Sequence, residues 1–173
     1  MIRPLDKKRD RSAVEAIDTS FETSSVFDVV TTARAIELVE RALPAPISKR
    51  YSIGEVFAAW ARWDHGWVAD DDGVRGFATA EYEAWHQRLN LWFLYIAPAW
   101  RRRGVGRALL AEVEAHGRRL GASHVWLETS NVNVPGVAAY ERLGYALCGA
   151  DRTYYGAYMP GETAIYLTKP LDR

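Results

Sequence analysis

The order of residue periodicities along this chain predicts a mixed α/β fold with an antiparallel half and a crossover half. Three observations carry it. An apolar run, Leu89 to Ala97, is closed by Pro98 and followed by a helical pattern in which Val105, Leu109, Leu110, Val113 and Leu120 recur on one face. Two turn-like stretches, Asp70-Asp71-Asp72-Gly73 and Ala84-Trp85-His86-Gln87-Arg88, flank the alternating segment Val74 to Tyr82. A further strand pattern, Val125 to Glu128, leads to Asn133 and Pro135, a pair that opens helices.

Taken in order, residues 10–20 read as a short helix with Ala13, Val14 and Ile17 inward. Thr32 to Leu43 fits either a helix or a strand through Ile36–Arg41, ended by Pro44 and Pro46. Trp67-Val68-Ala69 reads as a strand turned by the acidic Asp70–Gly73 run into Val74–Tyr82, and a second hairpin leads to Leu89–Ala97. The long helix runs to about Leu120 and stops at Gly121, and the helix capped by Asn133 ends at Gly144. Tyr145–Cys148 and Thr163–Thr168 supply the last strands.

The 173 residues show no internal repeat or low-complexity linker, so a single domain over residues 1–173 is expected. Apolar content of 49% with 25% charged residues is that of a globular protein. Lys+Arg and Asp+Glu balance at 22 each, which argues against nucleic acid as the main partner. No long apolar run or signal pattern is present, so no membrane partner is expected. The single Cys148 excludes an internal disulfide and fits the reducing cytoplasm, the expected location. His65, His86, His116 and His124 lack metal-ligand spacing, so no metal is expected.

The stretch Arg101-Arg102-Arg103-Gly104-Val105-Gly106-Arg107 is the candidate ligand site. A strand feeds a basic, glycine-bearing turn that opens a helix. Unpaired N–H groups and the positive end of the helix dipole face the turn, and arginines add charge, which together suit a phosphate. The third small residue of the dinucleotide fingerprint is missing, its place being Leu109, and no Gly-Lys-Ser/Thr follows. What remains is Arg-x-x-Gly-x-Gly, with Trp126-Leu127-Glu128, Asn133, Tyr140 and Leu143-Gly144-Tyr145 downstream.

On these motifs, Arg75 to Cys148 resembles the core of a GNAT-type N-acetyltransferase. The resemblance implies acetyl-CoA as co-substrate and a mostly antiparallel central sheet, splayed at the acetyl-CoA site and flanked by helices. It implies that the backbone of Leu94, Tyr95 and Ile96 pairs with the pantetheine arm like an added strand. Arg102–Arg107 would hold the pyrophosphate, with Arg101, Arg102 and Arg103 near the phosphates. By position Asn133 would contact the pantetheine region and Tyr140 would act as general acid. Gly136 departs from the alanine common three residues after that asparagine.

Three glutamates are candidates for the base. Glu128 matches the base position in family members that acetylate ribosomal-protein N-termini. Glu81 and Glu83 lie on one side of the strand before Trp85, where apolar neighbours including Trp85 and Trp92 would raise a carboxyl pKa. A water relay is a further route.

More of the chain resembles the streptothricin acetyltransferases within that family. The shared residues include Asp18–Thr23, Val26-Phe27, Gly76-Phe77, Tyr82, the Trp85–Leu89 turn, Asn131-Val132-Asn133, Leu147-Cys148-Gly149, Asp151 and Tyr155. This likeness favours a strand over residues 35–41 and a small-molecule amine as acceptor, with Glu81, Glu83, Trp85, Trp92 and Tyr155 in its site and a homodimer among the assemblies. One departure stands out. The acidic pair those enzymes carry before the phosphate turn is here Trp92 and Phe93. A strand pairing across the Trp85 turn would bring Glu81 near Trp92, so either the negative charge moves to the facing strand or the acceptor differs. A protein N-terminal or lysine acetyltransferase, supported by Glu128 and Tyr154-Tyr155, and a non-catalytic acetyl-CoA-binding module are the other readings.

Overall fold

Unbroken burial over residues 76–80 of Val74–Glu83 and residues 89–91 of Arg88–Ile96 marks the central hairpin of the fold, in a computed structural model that describes residues 1–172. In chain order the elements are β1 (Ile2–Pro4), α1 (Arg11–Glu15), β2 (Phe21–Thr31), β3 (Ile36–Lys49), β4 (His65–Asp70), β5 (Val74–Glu83), β6 (Arg88–Ile96), α2 (Val105–Leu120), β7 (His124–Ser130), α3 (Val134–Arg142), β8 (Ala146–Asp151) and β9 (Ala164–Pro170). The fold class is the expected mixed α/β. The chain divides into two units: residues 1–21, 50–125 and 170 onward, and residues 22–49 with 126–169.

In the first unit the strands lie in the order β1-β4-β5-β6, each pair antiparallel. The β4–β5 turn is the expected acidic one. Asp72 and Gly73 take positive φ of 50° and 123°, and Asp70 pairs with Arg3 at 2.7 Å rather than being merely solvated. The β5–β6 register slips once. Thr79 faces Phe93 and Ala80 faces Leu91, which leaves Trp92 as the extra residue of a β-bulge. Val14, Ile17, Val56, Trp63, Val68 and Phe77 form the core, with Trp92, Phe93 and Tyr95 packed against it.

The first helix is shorter than expected, covering Arg11–Glu15, and Ile17 reaches the core from beyond its end. α2 buries Leu109, Leu110 and Val113 as its periodicity requires, and Gly121 ends it in the left-handed conformation. Leu120 is a correction: it is exposed, and Glu114 and His116 lie on the buried face instead.

In the second unit β2 and β3 pair as a two-stranded ribbon, and the other strands lie in the order β7-β9-β8, with β8 and β9 antiparallel. Residues 36–49 are strand, which resolves the ambiguous segment, but Pro44 and Pro46 do not end it. A strand with only one partner has a free edge, and a residue without an N–H is tolerated there. The eleven-residue β2 had no clear alternation to announce it: Phe21–Thr31 is rich in Ser and Thr, and only Thr23, Val26 and Val29 are buried. α3 is capped as expected, the Asn133 side chain accepting the Gly136 N–H at 3.1 Å.

Candidate active site

The first unit supplies the basic turn. Pro98–Trp100 makes one tight turn after β6, and the chain then passes through Arg102 at φ 60° and Gly104 at φ 84° before α2 begins. Left-handed residues are a feature of the turns that form concave anion-binding backbone. A side chain grown from Gly104 would meet nothing within 4 Å, so this backbone is open to an incoming group. Arg102, Arg103 and Arg107 are exposed. Arg103 lies 5.4 Å from the Trp100 ring and Arg75 lies 5.2 Å from it. The exposed arginines and the N-terminus of α2 give the turn a charge that suits an anion.

Arg101 differs from its neighbours. Its Nε donates to the Ile96 carbonyl at 3.0 Å and its Nη1 to the Ser20 carbonyl at 2.6 Å. Burial lowers its pKa. The guanidinium therefore ties the end of β6 to the segment before β2, and its backbone N–H is taken by the Pro98 carbonyl at 3.2 Å. Leu94, Tyr95 and Ile96 pair with Ala78, Phe77 and Gly76 on one edge of β6.

Glu81 and Trp92 do come together. The Trp92 indole N–H donates to Glu81 Oε2 at 3.1 Å, and Arg62 lies 3.0 Å from Glu81 Oε1. The bulge makes this contact, since it is Asn90 that stands opposite Glu81 in the register. Glu83 goes elsewhere. Its carboxylate meets His86 at 2.7 Å and Arg88 at 2.8 Å, closing the hairpin turn. Burial would raise its pKa, but hydrogen bonds from His86 and Asn90 and the Arg88 charge outweigh that and hold it low. Trp85 projects from the same turn, 83% exposed, its ring against His86.

The second unit supplies a half-buried carboxyl. Glu128 lies toward the end of β7 and accepts a short hydrogen bond from the Tyr155 hydroxyl. Burial pushes its pKa up, the Tyr155 bond opposes this, and the charge of Glu162 pushes it further up. Tyr154 and Tyr166 share the surroundings. Burial raises both, Tyr166 to about 12, and the Glu128 charge adds to each shift. Trp126 stacks on Tyr166 with centroids 5.0 Å apart. Glu128 is thus held in a setting that favours the neutral form, and Glu83 in one that favours the charged form.

Asn133 is drawn inward. Its Nδ2 donates to Thr129 Oγ1 at 2.9 Å while its Oδ1 caps α3. A methyl group at Gly136 would come within 2.3 Å of that amide, so glycine leaves room for this rotamer. Tyr140, half-buried on α3, packs edge-on against Tyr145 at 5.6 Å. Glu162, Ser130 and Lys49 escaped the sequence reading. The Glu162 carboxylate pairs with Lys49 and accepts the Ser130 hydroxyl, and Gly161-Glu162-Thr163 carries no motif that would have announced it.

No group of three or more His, Cys, Asp or Glu side chains among the described residues could hold a metal ion. No helix among them is long and apolar enough to cross a membrane.

Comparison with known proteins extends this picture to the whole chain. Streptothricin acetyltransferase of Streptomyces lavendulae is 38% identical over 170 residues, covering 93% of this chain and 90% of that protein. The crystal structure of nourseothricin acetyltransferase superposes with a TM-score of 0.89 at 35% identity, covering 99% of this chain and 98% of that one. A Bacillus anthracis structure in complex with acetyl coenzyme A has a TM-score of 0.83 and covers 99% and 98%; at 23% identity it speaks for the fold alone. Residues 34–145, which include the basic turn, the Glu128 strand and Tyr140, match the family model described as Acetyltransferase (GNAT) family, and with these likenesses the chain belongs to the GNAT family of N-acetyltransferases.

Proposed function

We propose that this chain, acting as one catalytic domain, transfers the acetyl group of acetyl-CoA to a primary amine of a small cationic molecule of the streptothricin class. The observation that carries the choice of acceptor is the 38% identity, over nearly the full length of both chains, to a streptothricin acetyltransferase. The surroundings of Glu81, with the Trp92 indole on its carboxylate, suit a cationic amine with an apolar body.

When bound, acetyl-CoA supplies an activated acetyl group on a thiolate leaving group. The N–H groups of Arg102–Arg107 and the exposed arginines hold its pyrophosphate. The β6 backbone at Leu94–Ile96 aligns the pantetheine arm. Glu128 takes the proton of the acceptor ammonium, because a carboxyl raised by burial binds that proton better than an exposed one. The freed nitrogen lone pair forms the new C–N bond as the C–S bond breaks, Tyr140 gives its hydroxyl proton to the departing sulfur, and the second proton shed by the nitrogen restores the tyrosine. Glu81, with Arg62 and Trp92 on its two oxygens, contributes negative charge on the acceptor side rather than the base. Glu83 closes the hairpin that carries it.

An initial-rate screen of thiol release with streptothricin, simple polyamines and N-terminal peptides tests this. Streptothricin is expected to have the highest kcat/KM. Preference for a peptide would move the assignment to a protein N-terminal acetyltransferase, which the place of Glu128 on β7 also permits.

A further inference from the structure

Two residues beyond Glu128, β7 ends in a knot of side chains that the proposed reaction does not use. The Ser130 hydroxyl donates to Glu162, and Lys49, the last residue of β3, pairs with the other oxygen of the same carboxylate. Asn131 completes the knot. Its Nδ2 donates to the Phe27 carbonyl at 2.8 Å, and its Oδ1 accepts the Thr163 N–H at 2.8 Å. The backbone agrees: Phe27 N–H bonds the Asn131 carbonyl at 3.0 Å and Asn131 N–H bonds the Thr163 carbonyl at 3.0 Å. Ribbon, strand end and the segment before β9 are thus fastened at one point. Side chains of Lys49 and Glu162 are only 25% and 11% exposed, so their charges are weakly screened.

We propose that the Lys49–Glu162 pair is a positioning element for Glu128, fixing the end of β7 and setting the charge that faces the Glu128 carboxyl. The pair rests on the reading of Glu128 as the base. Facing Glu128 are Tyr155, which hydrogen-bonds it, Glu162, and Tyr154 and Tyr166, with Asp151 acting on both of these tyrosines. The Glu162 carboxylate is held in place by Lys49 and Ser130, and its charge opposes ionisation of Glu128. The amount of negative charge reaching Glu128 depends on how much of it Lys49 cancels.

The two partners must then act in opposite directions. Glu162→Gln removes the negative charge, so Glu128 titrates at lower pH and the acidic limb of kcat/KM moves down with it. Lys49→Met leaves Glu162 uncompensated, so both move up, and Lys49→Arg restores them. The readouts are the pH profile of kcat/KM and carbon NMR titration of the Glu128 carboxyl, which needs no turnover. The double variant Lys49→Met with Glu162→Gln, which leaves no unpaired charge, is expected to titrate below Lys49→Met. Shifts of the same sign in the two single variants, or an unmoved Glu128 titration in Glu162→Gln, would overturn the proposal. A Glu128 titration that moves while the rate profile does not supports the coupling and removes Glu128 as the base.

Discussion

Substitution of Gly104 separates what the basic turn does for folding from what it does for binding. Gly104 sits at φ 84°, and a side chain there meets nothing within 4 Å. Gly104→Ala therefore costs only the left-handed backbone, about 1–2 kcal/mol. Gly104→Glu carries the same backbone cost but puts a carboxylate at the N-terminus of α2, which returns about 0.3–1 kcal/mol. Glutamate should thus be the more stable of the two variants. Binding reverses the order. A carboxylate about 4 Å from one phosphate charge opposes it by ~1 kcal/mol in water and ~4 kcal/mol at the effective dielectric of a protein surface. That is a loss of about fivefold to about a thousandfold in CoA affinity beyond the loss in the alanine variant. Thermal unfolding and titration calorimetry with CoA measure the two orders, and added salt should narrow the binding gap. Equal affinity of both variants for CoA would refute the assignment of an anion to this turn.

Other substitutions bear on separate parts of the account. Tyr140→Phe should lower kcat by about 10²–10⁴-fold, the usual contribution of a general acid, with little change in the KM for acetyl-CoA; a near-normal chemical rate would leave Tyr140 a packing partner of Tyr145. Arg101→Ala should cost about 1.5–3 kcal/mol of stability, because it abandons the Ile96 and Ser20 carbonyls, and should change CoA affinity less than charge removal at Arg102 or Arg103 does. Calorimetry on both classes of variant checks this. Asp10 is 3% exposed and held by Arg3, Arg9 and the Asp6 N–H, which keep its pKa far below the ordinary carboxylate range, the Arg3 bond foremost. A depressed pKa stabilises the folded state above the unfolded value and is lost as pH falls toward the folded one. Asp10→Asn should therefore lower stability by about 1–3 kcal/mol at neutral pH and by progressively less in acid, as urea unfolding at several pH values would show.

The frame of the fold was legible because its signals are local. Pro98, Gly104, Gly121, Asn133 and Gly144 punctuate the second half, and the spacing of Leu109, Leu110 and Val113 defines the buried face of α2. What escaped depends on contacts far apart in sequence. Pro44 and Pro46 lie within β3 only because that strand has a single partner. Arg101 looked like its two neighbours in the arginine run, yet its contacts with Ser20 and Ile96 set it apart. Glu81 and Glu83 looked alike by alternation. One meets Trp92 because a bulge turns that indole toward it, and the other is held by residues of its own turn. Glu162 meets Lys49 across 113 residues of chain, a pairing no local pattern encodes.

The assignment of proton transfer to Glu128 is tested most directly by the pH dependence of kcat/KM with streptothricin, compared for the native chain, Glu128→Gln and Glu81→Gln. The account predicts an acidic limb in the native chain that lies above the ordinary glutamate range, following the burial that raises Glu128. That limb should vanish in Glu128→Gln along with most of the rate, while Glu81→Gln should keep the limb and raise the KM for the cationic acceptor. An acidic limb that survives in Glu128→Gln and disappears in Glu81→Gln would contradict the account.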